Sequence, residues 1–552
     1  MVRNVRAPLL AFLAAVSCLL LVAAANVASL VLARAMSRRQ EFAARFALGA
    51  RPFRVARQLL TESAILAIAG GTLGLAVAWA GRRAFLAISP SMPRLDESGI
   101  GAPALLFALG GVLFATCAAG VLPALQASRR SVADGLRRAG GASAAATGFS
   151  KPLATLAAAE VAVVLVLLAG TGLLVNSFGR LILFNVGIDA RSVVVFRITH
   201  PVQGPGSAQA ASPERGPQSA AALSDGQRLR AAIDEEIIRR VSAIPGVAAA
   251  GLTGDSPFDS PYRYGADVQI GDSNLIVSPA LRLAGATALD ALGMRMAGGR
   301  WFTESDREGA PLVAVVNQAM AERFWHGRDP VGDRVVFGRR LLQVVGIVGN
   351  VHDRGARQDV SPTLYLSTTQ IPPEPVMLVV RTMPGAAGVE RIVADELARM
   401  RNGIEAGGPT RLEDVWWRQM ADTRFLTSVL VTFSVLALLV ALVGVHGVLR
   451  FSVAQRTREL GIRKALGATR FDLVALIVGH ALRFAVAGCV VGLVGALAVA
   501  PAIGSLLFGI TPADPLTLAA ATVLLITAVS VAAYLPARRA GAVDPALSLR
   551  CE

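Results

Sequence analysis

Two stretches of this sequence place charges where they can act together. In RTRELGIRKALGATRFDLVAL (456–476), Glu459 and Arg463 are four residues apart, and in SRRQEFAARFALGARPFRVAR (37–57), Glu41 and Arg45 repeat the spacing. A Glu four residues ahead of an Arg supports a helix by about 0.2–0.5 kcal/mol. Leu460, Ile462 and Leu466 supply apolar positions, Lys464 adds a second cation, and Gly467, like Gly49 in the other stretch, is placed to end the helix. Such a basic, amphipathic segment either lies on anionic headgroups or docks a soluble partner, and two copies in matching positions favour docking.

Other chemistry is thinly represented. A nucleotide-binding loop needs Gly-Lys-Ser/Thr, yet the two lysines are Lys151, after Ser150, and Lys464, after Arg463. His200, His326 and His352 lack metal-ligand spacing, Cys18, Cys117, Cys489 and Cys551 form no CxxC or Cys/His pattern, and no catalytic triad or paired carboxylates stand out. The expectation is a chain without metal, cofactor or catalytic site. Glu160 and His446 fall inside apolar runs, where an ionisable group is costly and faces protein or water. Glu62 and His480 occupy matching helix starts and read as interfacial or capping groups.

The elements that must position these residues are membrane spans. Of 552 residues, 54% are hydrophobic and 17% charged, too apolar for an ordinary soluble protein and too mixed for one wholly in the bilayer. The net charge of +16 is almost all Arg flanking apolar runs, a topology signal rather than a nucleic-acid surface. Seven stretches are long enough to cross: 8–33, 62–86, 103–126, 153–177, 425–449, 474–503 (expected broken or tilted) and 516–536. Arg34, Arg38 and Arg39 close the first as a stop-transfer pattern, so it reads as a span rather than a signal peptide. Arg-rich segments 34–58, 127–152, 450–473 and the tail are predicted cytoplasmic, which puts the N-terminus and residues 178–424 outside and the C-terminus inside.

The outer segment has strand-like runs at 192–198, 247–254, 311–316, 340–348 and 375–382, helical spacing at 226–243 and 387–401, and Asn317 placed to cap QAMAERFW. It is predicted to be α/β, with two subdomains; 202–225, rich in Gly, Ala, Ser and Pro, reads as a mobile loop. Trp416 and Trp417, before Phe425, fit an aromatic belt.

The two charged stretches belong to a larger repeat. At an offset of 418, Arg38, Glu41, Arg45, Leu48-Gly49-Ala50 and Phe53 match Arg456, Glu459, Arg463, Leu466-Gly467-Ala468 and Phe471, and Gly70 and Gly74 match Gly488 and Gly492. Further on the offset becomes 413, with Leu122-Pro123-Ala124 against Leu535-Pro536-Ala537. A three-helix membrane module is therefore duplicated. The organisation predicted is a first module at 1–126, a cytoplasmic linker at 127–152, a single span at 153–177, the outer domain at 178–424 and a second module at 425–552.

The long pattern RTRELGIRKALGATRFDLVALIVGHALR resembles the signature of FtsX/MacB-type ABC permeases. GRWFTESDREGAPLVAVVNQAMAERFW (299–325), DPVGDRVVF (329–337) and VVGIVGNV (344–351) resemble a MacB-like periplasmic core domain, and EVAVVLVLLAGTGLLVNSFGRL (160–181) resembles the duplicated, ADOP-type members. In that family each half has four spans, so residues 1–126 correspond to a half lacking its opening helix and outer domain, an N-terminal truncation relative to the pattern. The resemblance implies a polytopic α-helical membrane protein of the bacterial inner membrane with a large α/β extracytoplasmic domain. It implies a separate ABC ATPase docking at Glu459, Arg463, Lys464 and Gly467 and at Glu41, Arg45 and Gly49. It further implies mechanotransmission to periplasmic work such as efflux or lipid and lipoprotein handling, contact with membrane lipids, and room for a second permease copy and a periplasmic partner. The alternative is a non-transporting scaffold or regulator acting through its outer domain.

Overall fold

The structure, a computed structural model, describes residues 3–37, 41, 52–88, 101–128, 145–200, 217–258, 267–271, 275–353, 355, 359–373, 375–400, 403–455 and 457–541. It divides into two compact units: Met1–Arg180 with Arg424–Glu552, and Leu181–Thr423.

The first unit is helical. Its elements are α1 (Arg3–Ser37), α2 (Pro52–Ile88), α3 (Ala102–Ser128) and α4 (Ala145–Ile182). Among the described residues six helices are long and apolar enough to cross a membrane, and α3 contributes a shorter apolar stretch, Ala104–Phe114.

The second unit begins with β1 (Val193–Thr199), α5 (Pro217–Ser242), β2 (Val247–Thr253), β3 (Val268–Ile270), β4 (Ile276–Val277), β5 (Ala280–Ala284) and α6 (Ala288–Leu292). It continues through β6 (Met296–Gly299), β7 (Val313–Asn317), α7 (Gln318–Trp325), β8 (Arg334–Phe337), β9 (Arg340–Val348), β10 (Thr363–Ser367) and β11 (Val376–Thr382). It closes with α8 (Val389–Arg399), β12 (Glu405–Ala406), β13 (Thr410–Arg411) and α9 (Leu412–Gln419). Its strands form one mixed sheet, β12-β1-β11-β2-β5-β10-β7-β9-β8-β3-β4, with β13 beside β1 and β6 beside β9.

That sheet carries two cores. Phe196, Ile198, Leu378 and Val380 pack with Ile237 and Val241 of α5 and Val393 and Leu397 of α8, while Val316, Val335, Val344 and Leu364 pack around Met320 and Trp325 of α7. Between them β2 and β5 share a single register pair, Thr253 with Ala284, flanked by 2.8 Å backbone bonds from Gly254 to Leu283 and from Gly285 to Leu252. Asn317 caps α7 as its position predicts, accepting from the Met320 amide at 2.9 Å.

Three expectations are corrected here. Residues 217–225, read as loop, belong to α5; alanines there have high helix propensity despite the lack of apolar period. Residues 202–216 of that expected loop lie outside the described residues. Trp416 is not a free belt residue but is buried, 5.2 Å from the Phe258 ring, while Trp417 donates to Glu413 at 3.4 Å.

Back in the first unit, the chain resumes with α10 (Ala421–Gln455), α11 (Thr457–Ala465), α12 (Arg470–Ile503) and α13 (Pro515–Gly541). The third correction is to the break: where the span was read as broken or tilted, α12 is continuous to Ile503, with Pro501 in its last turn. The repeat recurs in the helices: α1 and α10 both span 35 residues, 418 apart at either end, and α3 and α13 both span 27, 413 apart.

Candidate functional site

The elbow between α10 and α12 is built by local rules. The short helix α11 carries the expected Glu459–Arg463 pair at 2.8 Å, both side chains about half exposed. It stops at Gly467, whose φ of 101° admits a residue without Cβ. The Gly467 amide donates to the Lys464 carbonyl at 3.1 Å and the Ala468 amide to the Arg463 carbonyl at 3.0 Å, the paired bonds of a Schellman motif. Immediately after, Thr469 and Asp472 form a capping box: the Asp472 amide donates to Thr469 Oγ1 at 3.2 Å and the Thr469 amide to Asp472 Oδ2 at 2.9 Å. Both helix ends at the elbow are thus satisfied within six residues, so the turn is stiff.

One side chain anchors it. Leu460 is buried against Leu473 and Ile477 of α12 and Ala537 of α13. The other two apolar positions point the opposite way: Ile462 is 44% exposed and Leu466 83%, and Phe471, at the start of α12, is 79% exposed. Arg463 and Lys464 therefore sit beside an uncovered apolar patch. Burying each such side chain is worth about 1.5–3 kcal/mol, so a partner that covers the patch gains affinity while the cations set its charge preference.

Of the predicted docking residues, the structure brings Glu459, Arg463, Lys464 and Gly467 together on this elbow. Glu41 is helical, and Arg45 and Gly49 lie outside the described residues. Phe471 was legible only as one match in the repeat. His480 donates from Nδ1 within its own helix, to the Leu476 carbonyl at 2.8 Å, and Glu62 accepts from Gln58 at 3.1 Å.

The second unit holds a charged cluster with no sequence signature. Arg282 of β5 is ion-paired with both Asp255, after β2, and Asp353, after β9, beside the buried Tyr365. Burial alone would lower the guanidinium's pKa, but the two carboxylates override it and raise it. Burial pushes the Tyr365 phenol up to about 12. The cluster lines a cleft with Thr253, Met294 and Thr363. With each carboxylate facing the same cation, its evident task is to tie β5 to the segments that follow β2 and β9. His200 is likewise paired, to Asp234 at 2.9 Å.

Comparison with known proteins converges on the membrane helices and the outer domain separately. Residues 13–132 and again 431–545 match the FtsX-like permease C-terminal family, the starts 418 apart and the ends 413 apart, as in the repeat. Residues 154–394 match the MacB-like periplasmic core domain. The chain thus belongs to the FtsX/MacB type of ABC-transporter permease, an inner-membrane protein with a periplasmic α/β domain.

Among relatives, it is similar to the pyoverdine export ATP-binding/permease protein PvdT of Pseudomonas syringae pv. tomato, 27% identical over 47% of this chain and 40% of that protein. It is also similar to the macrolide export ATP-binding/permease protein MacB of Neisseria gonorrhoeae, 26% identical over 49% of this chain and 43% of that one. The match thus spans less than half the length of either relative. The periplasmic region of MacB from Actinobacillus actinomycetemcomitans aligns over 43% of this chain and 96% of its own, at 15% identity and a TM-score of 0.28, too low to bear on the fold.

Proposed function

We propose that this permease couples an ABC ATPase on a separate chain to work in the periplasm, such as efflux or the handling of lipids and lipoproteins. The observation that carries the reading is the elbow: a stiff turn presenting Ile462, Leu466 and Phe471 along with Arg463 and Lys464, in a segment the sequence repeats 418 residues earlier and whose charge puts it on the cytoplasmic side on this reading. Because the Schellman turn and capping box join α11 to α12 without slack, and Leu460 ties α11 to α12 and α13, a push on the elbow moves those helices as a body. Motion passed along spans, rather than a pore, is the transmission this geometry supports. On this reading the chain performs no hydrolysis itself, since neither lysine sits in a phosphate-binding loop.

The relatives' names supply the two neighbouring roles: both are export proteins that carry an ATP-binding part and a permease part together. Here the ATP-binding part would be a partner, docked at Glu459, Arg463, Lys464 and Gly467 and at Glu41, Arg45 and Gly49.

The test is a pull-down of the full chain in mild detergent, with and without R463E/K464E, scored for a co-purifying ATPase by mass spectrometry and nucleotide hydrolysis. Capture that is lost on charge reversal supports coupling. A folded chain that captures no ATPase, while a periplasmic activity still depends on residues 178–424, would replace it with the scaffold reading.

A further inference from the structure

Glu160 lies within the membrane-spanning part of α4 and is 2% exposed. Among the described residues its Oε1 has no hydrogen-bond partner and no cation pairs with it. Two other spans close over it. A Cβ built on Gly444 of α10 would lie 2.7 Å from Glu160 Oε2, 3.0 Å from Oε1 and 3.2 Å from Oδ1 of Asn26 on α1. The absent side chain at Gly444 is therefore what lets a carboxyl and an amide from two other helices meet.

The Asn26 amide is oriented by its donor: Nδ2 gives its hydrogen to the Val440 carbonyl of α10 at 3.1 Å, which leaves Oδ1 on the Glu160 side. That oxygen is also buried and unpartnered, and so is the Ser29 hydroxyl one turn along α1. Two bare acceptors thus converge on the same small space, and a buried acceptor left unsatisfied is destabilising. An ionised carboxylate there would add the cost of a charge within the bilayer.

Among the described residues the surrounding helices offer no counter-charge. On α1 the nearest cation is Arg34, eight residues from Asn26 or about 12 Å along the axis; on α10 it is Arg450, six residues from Gly444 or about 9 Å. Both are exposed. On α12, whose Gly488 packs against Ala158 and Val161 beside Glu160, Arg483 is exposed and His480 is bonded to its own helix. The remaining titratable side chains in the spans of these helices are His446, two residues past Gly444 and so on the far side of α10, with Cys18 and Cys489.

We propose that Glu160, Asn26 and Gly444 form an intramembrane proton-binding site, filled when α1, α4 and α10 are packed together. A hydronium ion of the aqueous phase supplies the proton and is left as water; the proton bonds to Glu160 Oε1, and the resulting O–H donates to Asn26 Oδ1, satisfying both acceptors with one hydrogen. When the helices part and water enters, the proton returns to water and the carboxylate is left hydrated. Each closing of the junction therefore takes up one proton and each opening releases one. The site is independent of the cytoplasmic elbow and of whether an ATPase docks there.

The test is infrared spectroscopy of the full chain in lipid nanodiscs at neutral pH. The wild-type minus E160Q difference is expected to show a protonated-carboxyl C=O band that shifts in heavy water, and the band is expected to move to higher frequency in N26A, where its acceptor is lost. E160Q keeps the neutral, planar shape and a donor toward Asn26, so its melting is expected to match the wild type. Should E160Q fail to assemble, isotope-labelled glutamate in the unmutated chain moves the same band. Carboxylate bands in place of the acid band overturn the proposal. So does a carboxylate signal that changes with added sodium, which would make the occupant a metal cation. A band unmoved in N26A overturns the pairing.

Discussion

The two membrane modules share the lengths and boundaries of their first and third helices yet are packed differently. In the second, Gly488 and Gly492 of α12 lie against α4 so closely that a Cβ would come within 2.4 Å of the Ala158 carbonyl and 2.7 Å of the Ala162 carbonyl. Among the described residues, their counterparts in the first, Gly70 and Gly74 of α2, have nothing within 4 Å of that position. The helix starts differ too. Pro52 opens α2, using its fixed φ and missing N–H, where Arg470 opens α12 behind the Thr469–Asp472 box; Arg51 and Arg54 stand where Thr469 and Asp472 do. The same template is thus retained in backbone while its small-residue seam is filled in one copy only.

The strongest way to break this comparison is steric. G488L is expected to disrupt the α4–α12 contact, costing at least the upper end of the 1–3 kcal/mol typical of overpacking because backbone, not a flexible side chain, is in the way. G70L is expected to leave the melting temperature in detergent within about 0.5 kcal/mol of wild type. Equal losses in both would erase the difference.

The next effect is at the elbow. G467A forces a side chain into a left-handed conformation and is expected to cost about 1–2 kcal/mol, read by chemical denaturation and by loss of protection in hydrogen exchange across 463–470. T469A removes the cap of α12 for about 1 kcal/mol, whereas the matching position in the first module is Arg51, which has no hydroxyl to remove.

The smallest effect depends on acidity. Asp514 caps α13, accepting from Thr517 and, at 3.4 Å, from Asn176 of α4. Bonding from the Thr517 side chain, outweighing desolvation, holds its carboxyl below the ordinary value. Its contribution is full above the ordinary carboxylate range and is lost as pH falls through the depressed value. Acidification is therefore expected to narrow the gap in melting temperature between wild type and D514A. The first module has Gly101 at the matching position and offers no equivalent titration.

Much of this was written in the sequence where the cause is local. Gly467 ends a helix and Asn317 begins one because backbone geometry and one amide suffice, and the repeat is legible because identical residues recur at a fixed offset. Facing was not. Leu460, Ile462 and Leu466 read alike as apolar positions of α11, but periodicity cannot distinguish the one that packs inward from the two left exposed. Nor could spacing reveal Arg282, whose carboxylates are 27 and 71 residues away, or the meeting of Asn26, Glu160 and Gly444 on three helices. Trp416 was misread because an aromatic ahead of a span looks the same whether it meets lipid or a protein core.

The single-pair junction between β2 and β5 has a mechanical meaning. A sheet pulled along its strands parts where the fewest hydrogen bonds share the tension, and Thr253–Ala284 is the narrowest place between its two cores. Arg282 crosses that line, holding Asp255 on the β2 side and Asp353 beyond β9, in the manner of a rivet through a lap joint. With the rivet in place the two halves strain together; with it drawn, each half keeps its own core and the line between them becomes a hinge.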